Sequence, residues 1–366
     1  MVNMKKVFVS GCYDIVHGGH IEFFTQAKKY GDYLIVSVAN DKVLEIHKDR
    51  KSSLPVEHKV RLLKAISIID EVVVGDGLEP GLDFKEHFLR IKPNYLVATE
   101  DDKFGEKKKK LCAEVGAQYV VIPKTLSYEK ISTTEIINFI KAPKQIPLRV
   151  DFAGGWLDVP KFSRNGGYIV NCAISPLVSL SHWEYEIKSG LGGSAAYSVL
   201  MGKNAVETEL NIGVGWQDPA IISETGLCVW RSGELPVLEM KINPSFLLGK
   251  MTLYWTGTTH STPDNTNRAR DYDLIYKAGI IAADAIFYKQ FEKLWEAVKL
   301  SYRAQLQEGM SALPDFGEIA KKYCGGGWGG YALYIFDNVI ERDKFLIQKN
   351  TKKIEPYIAN NIKNNT

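Results

Sequence analysis

The sequence predicts two domains, the first an α/β unit built on a parallel sheet covered on both faces. Three observations lead there. Residues 5–140 alternate apolar strand-like runs with stretches of helical apolar spacing, the pattern of right-handed βαβ units. That alternation stops at Lys141-Ala142-Pro143-Lys144-Gln145-Ile146-Pro147, which holds two prolines and no apolar period. At 366 residues the chain has room for two domains. We place them at 1–141 and 148–366, with 142–147 as the linker.

The elements run in order along the chain. Strands are predicted at 6–9, 33–38, 71–74, 95–98 and 118–122, with helices near 19–30, 57–68, 83–91 and 105–115. Ser132 followed by Glu135 is a capping-box pattern that opens a last helix. The run Glu106-Lys107-Lys108-Lys109-Lys110 reads as the exposed face of a helix. In the second half 331–336 and 253–258 read as strands, and 266–310 as two helices. The polar, asparagine-rich stretch 349–366 is expected to fray.

Between the first strand and the first helix lies Ser10-Gly11-Cys12-Tyr13-Asp14-Ile15-Val16-His17-Gly18-Gly19-His20. In an open parallel sheet the carboxyl end of a strand is where ligands bind. A helix N-terminus there offers N–H groups and a positive dipole end to phosphate. Gly18 and Gly19 let main chain approach closely. The competing reading of His17 and His20 is metal binding or plain packing, but a zinc site wants further ligands that no nearby residue presents.

Composition excludes some classes. Apolar residues make up 45% and charged residues 24%, ordinary for a globular protein. A formal charge of +3 is too small to argue for a nucleic-acid or membrane partner. No apolar run approaches a membrane span, and the N-terminus runs straight into a strand without a signal peptide. Five scattered cysteines with no Cys-x-x-Cys pair point to a reducing, cytoplasmic setting.

Gly11-Cys12-Tyr13-Asp14, His17-Gly18-Gly19-His20 and the distant Ile131-Ser132-Thr133-Thr134 resemble the nucleotidylyltransferases of the cytidylyltransferase family. The resemblance covers about the first 140 residues and implies a Rossmann-like fold. By that likeness His17 and His20 contact the triphosphate and stabilise charge as pyrophosphate leaves. Gly11, Cys12, Tyr13, Asp14 and Gly19 belong to the same nucleotide site, and Ser132, Thr133 and Thr134 hold phosphate oxygens at a helix start. Lys48 and Arg50, in Lys48-Asp49-Arg50-Lys51, stand where the family closes a lysine-rich loop over the triphosphate. The family's arginines in the following helix and before the Ile-Ser-Thr-Thr motif are missing, and Lys59 and Lys130 are the candidates to replace them.

The second half has three glycine-marked sites. Arg149-Val150-Asp151-Phe152-Ala153-Gly154-Gly155-Trp156-Leu157-Asp158 suggests a strand ending in a turn that presents a carboxylate. Ser189-Gly190-Leu191-Gly192-Gly193-Ser194 feeds a helix N-terminus, an anion cradle that lacks the Gly-Lys-Ser/Thr ending of a Walker A loop. Cys324-Gly325-Gly326-Gly327-Trp328-Gly329-Gly330 is a third glycine turn. Together these resemble the small-molecule kinases of the galactokinase, homoserine kinase, mevalonate kinase and phosphomevalonate kinase (GHMP) superfamily, with an α+β fold.

With Gly215-Trp216-Gln217-Asp218 they look most like its fucokinase and heptose kinase branch. The likeness implies that Asp218 takes the proton from the sugar hydroxyl or stabilises the attacking oxygen, with Arg149 beside the transferred phosphoryl group. It gives Asp158, Gly155 and Trp156 to the sugar, Gly190, Gly192 and Gly193 to the phosphates, and Ser194 to Mg²⁺ or a phosphate oxygen. Asp218-Pro219 also reads as a plain helix cap. The segment from Asp158 to Gly190 is roughly half the superfamily's usual length. His182-Trp183-Glu184-Tyr185 is its shortened substitute, with Trp183 or Tyr185 either stacking on a base or buried as core.

The reading is a bifunctional enzyme of nucleotide-sugar synthesis, using ATP and Mg²⁺ to make a sugar 1-phosphate and then joining it to a nucleotide. CTP is favoured narrowly over ATP as nucleotide donor, and a homodimer stays open because dimers are common in both families. The first rival is a single-activity nucleotidylyltransferase whose second domain only binds sugar. The second is a nucleic-acid binder, since paired histidines around glycine also occur in aminoacyl-tRNA synthetases; the near-neutral charge speaks against it.

Overall fold

The computed structural model describes residues 4–48, 50–124, 130–259, 265 and 268–359. The chain divides into two compact units, Met1–Ile137 and Asn138–Thr366.

The first unit is a five-stranded, all-parallel sheet: β1 (Lys6–Gly11), β2 (Tyr33–Val38), β3 (Glu71–Val74), β4 (Tyr95–Thr99) and β5 (Gln118–Ile122). Its order is β3-β2-β1-β4-β5. Strand β1 shows why both faces are covered. Val7 and Val9 point into one core with Phe24, Ala27 and Leu34, whereas Phe8 points into another with Phe84, Phe88 and Leu96. A strand buried on both faces reads as a continuous apolar run, as Val7-Phe8-Val9 does. Phe8 packs edge-on against Phe88 at 5.3 Å; deleting such a ring costs about 3–5 kcal/mol.

Helices α1 (Gly18–Lys28), α2 (Asp41–Lys48), α3 (Val56–Lys64), α4 (Lys85–Ile91), α5 (Gly105–Val115) and α6 (Thr133–Lys141) complete the α/β pattern. All five predicted strands are present. Helix α2 is additional to the predicted elements: among its described side chains only Val43 and Leu44 enter the core, too few for a legible period. The lysine run of α5 is not wholly exposed, because Lys108 is buried against Asp102 at 3.1 Å.

The second unit is α+β with two antiparallel sheets. One has the order β14-β7-β8-β9, from β7 (Tyr168–Val178), β8 (Leu227–Arg231), β9 (Val237–Ile242) and β14 (Glu355–Pro356), with β6 (Ile146–Ala153) also paired to β7. The other has the order β11-β12-β10-β13, from β10 (Met251–Trp255), β11 (Ala320–Tyr323), β12 (Tyr331–Ile335) and β13 (Thr351–Lys353). Helices α7 (Gly193–Leu200), α8 (Ala205–Asn211), α9 (Gln217–Glu224), α10 (Tyr272–Phe287), α11 (Glu292–Gln307) and α12 (Val339–Phe345) surround them.

Strand β6 sorts its side chains sharply between its two faces. Leu148, Val150 and Phe152 face the main core. The two-residue period of a strand then puts Arg149 and Asp151 together on the opposite face. Both are buried, so they need partners.

The expectation that 349–366 frays is corrected for its first part. Residues 351–353 pair with β10 and 355–356 with β7, while Ile354 is buried between them. Edge pairing supplies an order that polar composition concealed.

Two candidate active sites

The segment Ser10–His20 leaves β1 at the point where strand order reverses between β1 and β4, the position where open α/β sheets bind ligands. His17 is the N-cap of α1. Its Nδ1 accepts the Gly19 N–H at 3.2 Å, and Nδ1 of His20 accepts the His17 N–H at 3.3 Å. The pair is a capping box made of two imidazoles. Burial and the nearby Lys124 lower the pKa of His17. Burial, His17 and Lys124 push His20 down to about 4. Both rings are therefore neutral at pH 7. With each Nδ1 accepting, each Nε2 carries the proton and serves as donor. The rings lie 4.0 Å apart, presenting two N–H donors side by side.

Several residues expected at the nucleotide stand differently. The Gly19 N–H is engaged by His17. Tyr13 has φ +41°, which turns its ring into the core, edge-on to His20 at 5.2 Å. It supports His20 from beneath. A Cβ on Gly11 would meet the Tyr13 ring at 2.8 Å, so the glycine makes room for it.

Asp14 is 1% exposed. It accepts hydrogen bonds from Arg50 Nη1 (2.7 Å), Ser52 Oγ (2.8 Å), Ser53 N (2.7 Å) and Ser53 Oγ (2.9 Å). These bonds outweigh burial and hold its carboxyl down at about 2. Asp14 thus anchors the 50–54 segment, and Arg50 lies on it. Lys59 cannot stand in for a phosphate-binding arginine: it is fully buried on Asp41 (2.8 Å) and Ser52 (2.9 Å). The side chain of Lys48 lies outside the described residues, as does the segment 125–129.

The downstream motif does reach this place. Thr133 Oγ1 donates to the Ile15 carbonyl at 3.3 Å. Ser132 and Glu135 form the expected capping box at the start of α6, with Ser132 N on Glu135 at 2.6 Å and Glu135 N on Ser132 Oγ at 3.2 Å. Thr134 is exposed on the first turn. Cys12 is partly exposed, and no disulfide links the chain's cysteines.

In the second unit a cavity of about 840 Å³ gathers Arg149, Trp156, Asp158, Gly190, Gly192, Gly193, Ser194 and Asp218. Arg149 reaches Asp218 with both prongs, Nε to Oδ1 at 2.6 Å and Nη2 to Oδ2 at 2.9 Å. Its Nη1 donates to the Gly190 carbonyl at 2.7 Å and to Asp151 at 3.3 Å. Asp151 in turn holds Lys322 and accepts the Gly325 N–H at 2.9 Å. Asp218 does not cap its helix. Trp216 is the N-cap of α9, and Asp218 sits in the first turn with its carboxylate turned to Arg149.

The glycine loop has a built shape. Gly190 and Gly192 have φ of +76° and +80°. A Cβ on Gly190 would lie 2.8 Å from the Cys324 carbonyl, and one on Gly192 3.2 Å from Asp218. The second and third glycine segments are therefore packed back to back. Helix α7 starts at Gly193 with no side chain capping it, which leaves its N–H groups available to an anion.

Asp158 accepts from Trp156 N (3.0 Å), Gln217 N (3.2 Å) and Gln217 Nε2 (3.1 Å). Burial and the charge of Asp218 push it up to about 7. Gly155 lies beside Asp151 and Gln217. Trp183 and Tyr185 both line the cavity; Tyr185 is also packed into the core and donates its hydroxyl to the Pro176 carbonyl at 3.0 Å.

Sequence reading missed Glu209, Gln217, Asp151 and Lys322. Glu209 is buried in α8, its Oε1 lacks a partner, and Ser194 lies against its carboxyl. Burial and Asp218 push it up to about 7. Nothing around Val206-Glu207-Thr208-Glu209 marks the second glutamate over the first except the packing of α7 on α8. A serine hydroxyl at the start of α7 with the Glu209 carboxylate beside it suits Mg²⁺, which takes one or two protein oxygens and fills its octahedron with phosphate and water.

The reversed strand order and the imidazole pair at the switch point define the first unit as a Rossmann-like nucleotide-binding domain. A family model described as Cytidylyltransferase-like matches residues 8–139. Over 138 residues the chain is 37% identical to the FAD synthase of Thermococcus kodakarensis, a stretch covering 37% of this chain and 91% of that protein. Through this domain the chain belongs to the cytidylyltransferase-like family. Among solved structures it is similar to a D-glycero-D-manno-heptose 1-phosphate kinase from Bacteriodes thetaiotaomicron (15% identity, TM-score 0.42, 58% of this chain and 95% of that one). It is also similar to the phosphomevalonate kinase of Streptococcus pneumoniae (10% identity, TM-score 0.45, 58% and 99%). Among the described residues no helix is long and apolar enough to cross a membrane.

Proposed function

We propose that the chain is a bifunctional transferase: 148–366 phosphorylates a sugar hydroxyl with ATP, and 1–141 transfers a nucleotidyl group to the sugar phosphate. The observation that carries the reading is the Arg149–Asp218 pair, which faces an uncapped helix start and a glycine loop across one cavity.

In the kinase step the sugar oxygen attacks the γ-phosphorus. Its bond to phosphorus forms as the bond to the bridging oxygen breaks and ADP leaves. Asp218 takes the hydroxyl proton or stabilises the attacking oxygen, and Arg149 neutralises the charge that builds between them. Gly190, Gly192, Gly193 and the start of α7 cradle the phosphates, while Asp158, Gly155 and Trp156 hold the sugar. Ser194 and Glu209 would hold Mg²⁺, which supplies charge neutralisation between the phosphates when bound.

In the nucleotidyl step the sugar phosphate attacks the α-phosphorus and pyrophosphate leaves. The Nε2–H groups of His17 and His20 donate to the phosphate oxygens. Ser132, Thr133, Thr134 and Cys12 belong to the same phosphate site in this proposal, as does Lys48 by its place in the sequence. Asp14 keeps Arg50 in place.

Identity to proteins named FAD synthase supports an adenylyl donor, since FAD carries an adenylyl group. It favours ATP over CTP and makes a flavin phosphate the rival acceptor. A thermal-shift series of CTP, ATP, GTP and UTP tests the donor, because a nucleotide that binds the folded state raises its midpoint. ADP release with free sugars, and pyrophosphate release with sugar 1-phosphates or flavin mononucleotide, test the two acceptors. A homodimer remains part of the proposal and is read by light scattering.

A further inference from the structure

Two tryptophans of the second unit share an unusual arrangement. Trp156, which lines the cavity, and Trp328, in the third glycine segment, have φ of +83° and +60°. A bulky residue holds that conformation only where its surroundings impose it. Each indole carries an arginine guanidinium at 3.7 Å from its ring centre, Arg270 on Trp156 and Arg268 on Trp328. One carboxylate joins the two. Glu308 Oε1 accepts Arg270 Nη2 at 2.8 Å and Trp328 Nε1 at 2.9 Å.

The side chains of Arg270 and Glu308 are 1% and 5% exposed. A buried ion pair adds little net stability, so position is the better account of its presence. Further bonds hold Arg270 flat: Nη2 also reaches the Asn265 carbonyl at 2.5 Å, and Nη1 the Arg268 carbonyl at 3.3 Å. A planar guanidinium held through both Nη groups is a rigid backing for an indole, which a lysine could not supply. Phe162 adds an edge contact to Trp156 at 6.4 Å.

We infer that Glu308 is a positioning residue for the acceptor site: acting through Arg270, it backs Trp156 as a stacking platform for the apolar C–H face of a sugar. Through Trp328 it sets the same register for the loop that carries Gly325 and Gly326 to the cavity. This deepens the kinase reading above and rests on it. Neither Glu308 nor Arg270 lines the cavity, so neither touches the reacting atoms.

The test compares wild type, Glu308→Gln and Arg270→Lys as full chains. L-fucose, D-mannose and a mannoheptose serve as acceptors, with ADP release and calorimetric sugar binding as readouts. Either variant should raise the KM and the Kd for the sugar at least tenfold while kcat stays within twofold and the KM for ATP is unchanged. Arg270→Lys keeps the charge and loses the plane, so it reports even where Glu308→Gln fails to fold. Unchanged sugar affinity in a folded variant overturns the positioning role alone, as does an equal loss in kcat and in the KM for ATP. A wild type that binds none of the sugars overturns the kinase reading and this inference with it.

Discussion

Arg149 and Asp218, sixty-nine residues apart in sequence, meet as a two-pronged pair at 2.6 and 2.9 Å. Alternation along β6 aims Arg149 away from the core, and the first turn of α9 aims Asp218 back at it. The pair therefore joins a strand to a helix start across the cavity. Asp218→Asn should lower sugar-dependent ADP release by about 10²–10⁴-fold. Nucleotidyl transfer to a supplied sugar 1-phosphate should be untouched. Arg149→Met removes the guanidinium shared by the buried Asp151 and the half-buried Asp218, and should cost about 3–5 kcal/mol in urea unfolding.

Gly190 tests the packing of the glycine segments. At φ +76° a side chain strains the backbone, and its Cβ would press on the Cys324 carbonyl. Gly190→Ala should destabilise the second unit by about 1–3 kcal/mol and displace the carbonyl that Arg149 Nη1 uses. Urea unfolding and the KM for ATP check both effects.

Asp158 and Glu209 each titrate near 7, through burial and the charge of Asp218. The folded chain holds their protons up to that pH, whereas the unfolded chain releases them near 4. Their contribution to stability is therefore complete below about 4 and lost as pH rises through 7. Glu209→Gln should flatten that loss in a Tm–pH series. It should also abolish a Mg²⁺-dependent rise in Tm, which in the wild type grows between about pH 6 and 8 as the carboxyl ionises.

His20 runs the other way. Its pKa falls to about 4 from the ordinary 6.5, so the unfolded state binds the extra proton between those values. The stability it permits is present above 6.5 and declines as pH falls towards 4. His20→Gln should remove that decline, and should slow pyrophosphate release by about 10²–10³-fold through loss of a charge-stabilising donor.

Much of the fold and of the two sites is legible in the chain because it is local. Val7-Phe8-Val9 must be a doubly buried strand, and His17-Gly18-Gly19-His20 must begin a helix. The alternation at 148–152 already puts Arg149 opposite the core. The features that escape are those that long-range packing decides. Glu209 is singled out from Glu207 only by the seating of α7 on α8. Asp14 and Tyr13 stand in the same motif as His17 and His20, yet one anchors 50–54 and the other supports His20. The ion pair of Asp151 with Lys322 spans two sheets, and no local pattern announces it. The β13–β14 stretch reads as a fraying tail because edge pairing satisfies backbone whatever the side chains are.

One chain, on this reading, makes a sugar phosphate and then consumes it. Phosphorus NMR of wild-type protein with ATP, Mg²⁺ and a free sugar tests that coupling in a single tube. ADP, pyrophosphate and a nucleotide-sugar should appear together. With Asp218→Asn none should form until sugar 1-phosphate is added, when pyrophosphate and the nucleotide-sugar return without ADP. Pyrophosphate from added phosphate acceptors with no sugar-dependent ADP, across hexoses and heptoses, would contradict it.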